Sequence, residues 1–402
     1  MPSTLTPLNP AVAQTFAPPV MQARRWLDGV SFPPDRPLLN LSQAAPVDPP
    51  PLPLRQAIAD AVLNTPQTHL YGPVLGMPAL RAALAARTTQ IYGGSVRADQ
   101  VAITSGCNQA FAAVIATLAG AGDEVIVPVP WYFNHKMWLE MSGIRAVPLS
   151  TLPPNPAQGL IPDPEHAATL ITPRTRAIAL VSPNNPAGVE YPAPLLAAFR
   201  DLARRHGLAL IVDETYRDFH SQEGAPHALF TDPAWDDTLI HLYSFSKAYR
   251  LTGHRVGAIV ASPARLSEVE KFLDTVTICP TGLGQTAALW GLTHLDEWLA
   301  GERLEILRRR VAIAAGFETL PGWRLLGSGA YFAYVEHPFD APSAEVAQWL
   351  VRAAQVLVLP GSMFMPQDGS TDTGARHLRV AFANADTAGI AKLIERLSEL
   401  QP

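Results

Sequence analysis

LIHLYSFSKAYRLTGHRVG, residues 239–257, decides how the rest of the chain is read. Leu239 to Phe245 is a short apolar and aromatic run of the kind that forms a buried strand. Lys247 stands where that strand runs out, and Arg255 follows eight residues later between Gly253 and Gly257. Burial disfavours a charged amine, so a lysine in this place either pairs with a carboxylate or acts as a nucleophile. The chain uses only four lysines (Lys136, Lys247, Lys271 and Lys392) among its 30 basic residues. Arginine keeps its proton at ordinary pH, whereas a desolvated lysine can lose its proton and attack a carbonyl.

Upstream, the pattern is strand, turn, helix, repeated. Val101–Thr104 reads as a strand, Ser105-Gly106 as a tight turn and Asn108 onward as an alanine-rich helix. Such a unit aims backbone N–H groups and a positive dipole end at one point, which suits an anion. DEVIVPVP is another buried strand, and WYFNHKMWLEM follows it. Its Trp131, Tyr132 and Phe133 serve either as core or as a flat face for a planar ligand. AIALVSPNNPAG is a strand ending in an Asn-Asn-Pro turn, and LALIVDETYRDF is a strand ending in Asp213 and Glu214. Acidic residues at the C-terminal end of a buried strand lie where open α/β sheets hold ligands. The alternation from 100 to 260 predicts an α/β fold with a mostly parallel sheet and helices on both faces. Helical spacing is also read at 52–64 and 78–92, with the turn-rich HLYGPVLG presenting Tyr71 between them. Residues 286–320 read as one long or broken helix. The last eighty residues mix short strands (AYFAYVE, VLVLPG, HLRVAF) with helices at 342–355 and 386–399.

A length of 402 residues allows two domains. The expected division is an N-terminal segment, 1–48, packing with a small α+β domain; a large domain, 49–285; and the C-terminal small domain, 286–402. A net charge of −5 argues against a nucleic-acid partner. No apolar run reaches the roughly 18 residues of a membrane span, and no secretory pattern opens the chain. Two distant cysteines, Cys107 and Cys279, suit a reducing, cytoplasmic setting. No metal site is expected.

The strand-end residues Asn185, Asp213, Tyr216, Ser244, Lys247 and Arg255, with the turn at Gly106 to Asn108, suit one ligand. Phosphate needs the helix N-terminus, hydroxyls and an arginine; an aldehyde needs the lysine amine. A pyridine nitrogen needs a carboxylate, and its ring a flat side chain. Those demands describe pyridoxal phosphate. SFSKAYRLTGHRVG resembles the lysine signature of class I/II aminotransferases, pyridoxal-phosphate enzymes of fold type I. NNPAG, DETY, TSGCNQA and YGPVLGMPALR resemble the family's other blocks in its order, and the resemblance covers roughly residues 40–385.

The resemblance implies that Lys247 holds the internal aldimine and then moves the substrate's α proton. It implies that Asp213 pairs with the pyridinium nitrogen, and that Asn185, before a cis proline, and Tyr216 bond the phenolic oxygen. Arg255, Ser244 and the backbone of Cys107 and Asn108 hold the phosphate, and Tyr132 stacks on the ring. Tyr71 reaches the phosphate of a neighbouring subunit, implying a homodimer. Arg379 grips the substrate's α-carboxylate, with Asn185 beside it. Where the family has a glycine before a proline at the substrate, LSQAAP has Ala44 and Ala45, which narrows the pocket or shifts the loop. His135 and Lys136 are placed near the mouth of the site. The expected activity is transfer of an amino group between an L-amino acid and a 2-oxo acid by a ping-pong route. The alternative is another reaction on the same scaffold: β-lyase, decarboxylase or oxidase. A sensor domain of a bacterial regulator would need a helix-turn-helix in front, and residues 1–40 are too short and proline-rich for one. The aromatic loop at 131–133 suggests tolerance of apolar or aromatic substrate side chains.

Overall fold

A computed structural model describes residues 6–152, 159–366 and 374–400; the ends of the expected terminal segments and most of TLPPNP lie outside these. Several of the 39 prolines start helices. Pro10, Pro19, Pro78, Pro164 and Pro263 each open one, where the missing N–H costs nothing and the fixed φ suits the helix. The segment before residue 50 is more structured than its pattern suggests. It holds helices Pro10–Gln14 and Pro19–Arg25 and the short strand β1 (Leu39–Asn40). β1 pairs in parallel with residues Val356 and Leu357, far along the chain.

The central sheet comprises β2 (Val101–Thr104), β3 (Glu124–Val129), β4 (Arg145–Ser150), β5 (Thr175–Val181), β6 (Ala209–Asp213), β7 (Leu239–Ser244) and β8 (Gly257–Val260). Its strand order is β2-β8-β7-β6-β5-β3-β4. β8 runs antiparallel to both neighbours, and the other pairings are parallel. The strands are apolar on both faces because helices cover both. Ile126, Ile178 and Leu210 pack with Leu196 and Phe199 on one side; Val125, Val127 and Ile211 pack with Phe111 and Val114 on the other. β4 is not legible as a strand in the sequence because it contains Pro148. It lies at the sheet's edge, where a residue without an N–H is tolerated.

A second sheet, β12-β13-β10-β9, is antiparallel and built from β9 (Arg324–Gly329), β10 (Phe332–Glu336), β12 (Leu359–Pro360) and β13 (His377–Val380); β11 (Val356–Leu357) is the partner of β1. Residues 286–320 form two helices, Gly282–His294 and Asp296–Glu318, broken at Leu295. The first buries Ala287, Ala288 and Leu292 in the same core as Leu54, Leu80 and Leu84. The second reaches the core of the small sheet only from Ile306 onward. The core around Leu54 and Leu80 also takes in Leu295 and Leu299, about a turn into the second helix. No described helix is long and apolar enough to cross a membrane.

The topology sets up one edge. The parallel strands β3, β5, β6 and β7 end there, and β8, running the other way, begins there: Gly257 pairs with both Thr104 and Ser244. In open α/β sheets this is the edge where ligands are held.

Candidate active site

A cavity of about 570 Å³ lies at that edge. It is lined by Ala44, Cys107, Asn108, Tyr132, Asn185, Asp213, Tyr216, Ser244, Lys247, Arg255 and Arg379, so the fold gathers nearly every candidate residue. A larger groove of about 950 Å³ lies at the opposite strand ends, around Thr175, Ala209 and Thr238, and contains none of them.

At the turn after β2, Gly106 has φ +87°, and a Cβ built on it would stand 2.2 Å from Arg255 Nη2. A Cβ on Gly257 would stand 2.6 Å from Cys107 N. Both positions need glycine because guanidinium and backbone meet with no room for a side chain. Arg255 is fixed by donating from Nη1 to Thr252 O at 3.1 Å and Ser246 Oγ at 3.4 Å. The helix Cys107–Ala116 begins here, so the guanidinium and the free helix N–H groups share one anion cradle. Ser244 accepts from Ser246 N at 3.2 Å. Burial pushes the Cys107 thiol up, so it carries no thiolate chemistry and offers its backbone.

Lys247 Nζ donates to Ala44 O at 2.6 Å. Burial, aided by the positive charges of Arg255 and Arg379, lowers the amine to about 8. A neutral, nucleophilic fraction therefore exists near neutral pH.

Asp213, at the end of β6, is buried. Burial raises its carboxyl, but His135 and Thr215 outweigh this and hold it below the usual carboxylate range. Its Oδ1 accepts from Thr215 N at 3.0 Å and Thr215 Oγ1 at 2.7 Å, and its Oδ2 lies 3.2 Å from His135 Nε2. His135 is thus not at the mouth of the site. It is buried and stacked on Phe111 with ring centroids 3.7 Å apart, in the first turn of the helix Phe133–Met141. Lys136 is not at the mouth either: it pairs with Glu140 and lies over the rings of Phe16, at 5.1 Å, and Trp131, at 5.4 Å. Helical rotation separates these neighbours, which their adjacency in sequence could not reveal.

Arg379 on β13 is fully buried, and burial lowers its guanidinium to about 10. It donates from Nη1 to Asn185 Oδ1 at 3.0 Å and from Nη2 to Ser42 O. The rings of Phe332 and Phe364 lie 5.0 Å from its centre. The bond between Asn185 and Pro186 is cis. Tyr216 packs edge-on against Phe332, and burial raises its hydroxyl well above the ordinary value. Tyr132 donates to Asn108 Oδ1 at 3.1 Å and accepts from Asn134 Nδ2 at 2.9 Å, which fixes its ring. Trp131 is buried away from the cavity, whereas Phe133 lines it. Tyr71 alone is not brought in: it is 81% exposed and borders a separate groove with Cys279 and Leu283. Val20, Gln43, Ala45, Asn134, Val181, Thr215, Ser246 and Thr252 complete the lining. Ser246, beside Lys247, was within reach of the sequence; Val20, distant in sequence from Phe133 and Arg379 in the same lining, carried no such signal.

The profile of the family described as aminotransferase class I and II matches residues 36–397. The chain belongs to this family. The chain is similar to an arginine–pyruvate transaminase of Pseudomonas aeruginosa, 33% identical over 347 residues, covering 85% of each chain. It is similar to an aromatic aminotransferase of Arabidopsis thaliana, 28% identical over 360 residues, covering 86% of this chain and 85% of that one. Among solved structures, the aspartate aminotransferase of Thermus thermophilus with maleate superposes with a TM-score of 0.87 at 26% identity, covering 98% of this chain and all of the other. The architecture is accordingly that of fold type I, and the chain is an aminotransferase.

Proposed function

We propose that this aminotransferase uses pyridoxal 5′-phosphate, moves an amino group between an L-amino acid and a 2-oxo acid, and works as a homodimer in the cytoplasm. One observation carries the reading. A buried lysine amine, lowered to about 8, shares a cavity with a buried ionised carboxylate and an arginine-backed anion cradle. The residues fit the cofactor: the Gly106 turn and Arg255 suit its phosphate, Asp213 its ring nitrogen, and Tyr132 its ring face. Tyr71, with its exposed neighbour Leu70 and nearby Ile278, supplies an apolar rim suited to a second copy.

When bound, pyridoxal phosphate supplies an aldehyde that captures amines and a ring that takes up the electron pair left when a proton departs. Asp213 would keep the ring nitrogen protonated, and His135 and Thr215 would hold that carboxylate in place. Lys247 would first engage the aldehyde, then, freed by the incoming amino acid, carry the proton away from the substrate's Cα. Arg379 would grip the α-carboxylate through a charge-assisted pair, with Asn185 fixing the guanidinium. The buried wall around Tyr216 and Phe332 would exclude water.

The test is spectroscopic. The holoenzyme should lose its visible cofactor band with an amino acid and regain it with a 2-oxo acid. Release of ammonia, carbon dioxide or peroxide in place of that reversal would assign a different reaction. Two further outcomes are expected. Binding of pyridoxal phosphate to the cofactor-free protein should speed up as pH rises and level off above about 8, as Lys247 loses its proton; a rate flat from pH 6 to 9 would refute the assignment. Gly106→Ala should weaken cofactor affinity by roughly 10- to 100-fold, because a side chain there both strains a positive φ and displaces Arg255. Cofactor titration followed by absorbance measures it, and an unchanged affinity would remove the turn from the phosphate site.

A further inference from the structure

Glu214 is the one member of the strand-end run Asp213-Glu214-Thr215-Tyr216 that does not line the cavity. Side chains alternate along a strand. Asp213 meets His135 on the Phe111 side of the sheet, and Glu214 turns to the opposite face, toward Tyr92 and the core that holds Val212 and Phe230. There it is 1% exposed. Its Oε2 accepts from three donors: the hydroxyl of Tyr92, which ends the helix Pro78–Tyr92; His241 Nε2 on β7, at 2.9 Å; and His227 Nε2, at 3.3 Å. His227 Nδ1 accepts from Leu229 N at 3.2 Å, so the ring's proton sits on Nε2 and faces Glu214. Burial lowers His241, and that ring donates in its neutral form. Burial raises the Glu214 carboxyl, but the two imidazoles outweigh this and hold it well below the usual carboxylate range. The nearby positive charge is Arg217, buried with its guanidinium 3.9 Å from the centre of the Tyr243 ring.

We propose that Glu214 is a positioning residue for the reaction: through Tyr92, His227 and His241 it fixes the end of β6 and so holds Asp213 in place relative to Lys247. The inference rests on the proposed function. β6 ends in Asp213, and β7 leads through Ser244 to Lys247. The bond from His241 to Glu214 crosses between these strands at their last register pairs, Val212 with His241 and Asp213 with Leu242. Glu214 N also donates to Leu242 O at 2.9 Å, and Glu214 O accepts from Arg217 N at 3.1 Å. Apolar residues of similar volume often fill a core with no loss of stability, so a buried carboxylate is not needed for filling. What it adds is direction, because donors from three separate elements fix where one oxygen lies. Asp213 and Lys247 would engage two different atoms of one rigid ring, so the spacing of their strands is part of the chemistry, and a misplacement of about 1 Å can cost about 100-fold in rate.

The experiment compares the holoenzymes of wild type, Glu214→Gln and Tyr92→Phe. One readout is the pH midpoint at which the visible cofactor band titrates. The other is single-turnover loss of that band with whichever of leucine, phenylalanine, aspartate and arginine reacts fastest with the wild type. A displaced Asp213 holds less positive charge on the ring nitrogen, which leaves the nitrogen bonded to Lys247 a better base. The midpoint in Glu214→Gln should therefore rise by roughly half a pH unit or more. Its limiting rate should fall by about 10- to 100-fold, with the half-saturating amino acid concentration within about threefold of wild type. Tyr92→Phe removes one of the three donors, keeps the ring, and should move midpoint and rate the same way, the rate by about two- to fivefold. An unmoved midpoint in both variants overturns the proposal, whatever the rate or the thermal melt does, and leaves the aminotransferase reading intact. So does a loss carried entirely by the half-saturating concentration. If Glu214→Gln does not fold, Tyr92→Phe decides alone. A wild-type protein that gains no visible band with pyridoxal phosphate defeats both readings.

Discussion

Lys247→Ala is expected to lower transamination by about 10⁴-fold or more, because one side chain supplies both the nucleophile and the proton carrier. The same variant should fold normally. In the native chain the amine is buried with Ala44 O as its hydrogen-bond partner, and its lowered proton affinity is a cost to the folded state. That cost is present in full below about pH 8 and disappears as pH rises toward the unfolded value near 10.5. Removing the amine at pH 7 removes the cost, so thermal unfolding of the cofactor-free variant should occur no lower than that of the wild type. Stability spent at a reactive group is a recurring trade. Single-turnover rates and thermal melts decide the matter together. Activity within tenfold of wild type would end the assignment of Lys247, and collapse of the fold would assign it a structural part instead.

Asp213→Asn is expected to reduce turnover by about 10³-fold while changing cofactor affinity far less, in line with the loss of a preorganised charge beside the reacting group. Asparagine keeps the shape, and its oxygen can still accept from Thr215 N and Oγ1, which lie 3.0 and 2.7 Å from the native Oδ1. It has no charge to hold a proton on a ring nitrogen. Asp213→Glu keeps the charge and should recover part of the loss. The carboxyl is held below the ordinary range, so Asp213 stays ionised through the neutral region, and any fall in activity between pH 6 and 8 belongs to another group. Turnover measured beside a cofactor-binding isotherm separates the two effects; a loss of affinity equal to the loss of turnover would count against the assigned role.

The parts of this site legible in the sequence are those written at strand ends. Lys247, Asp213, Asn185 and the Gly106 turn each follow an apolar run at short range, so local pattern and position in the sheet coincide. What stayed hidden depends on contacts across the chain or on helical rotation. His135 and Lys136 are neighbours in sequence, yet one lies against Asp213 and the other against Glu140. β9 is hard to read because it carries Gly327 and Gly329, whose missing side chains let Ala187 and Gly188 approach; added Cβ atoms would stand 2.8 Å from Ala187 O and 2.2 Å from Gly188 O. Such glycines weaken a strand pattern while serving close backbone contact. The helix Gly282–His294 follows the β-rich half, but its small residues Ala287 and Ala288 dock on the large core, a choice that no periodicity announces.

The guanidinium of Arg379 has a consequence for the order in which the protein comes into being. Its two hydrogen bonds reach Asn185, 194 residues earlier, and Ser42, 337 residues earlier. Synthesis runs from the N-terminus, and units fold as they emerge. The large sheet, whose last strand ends at Val260, can therefore form on the ribosome while Arg379 has yet to be made. During that interval a partly built chain can bring together Lys247, Asp213 and the Gly106 turn without Arg379. Under the proposed assignments, capacity to take up the cofactor would precede capacity to select a substrate.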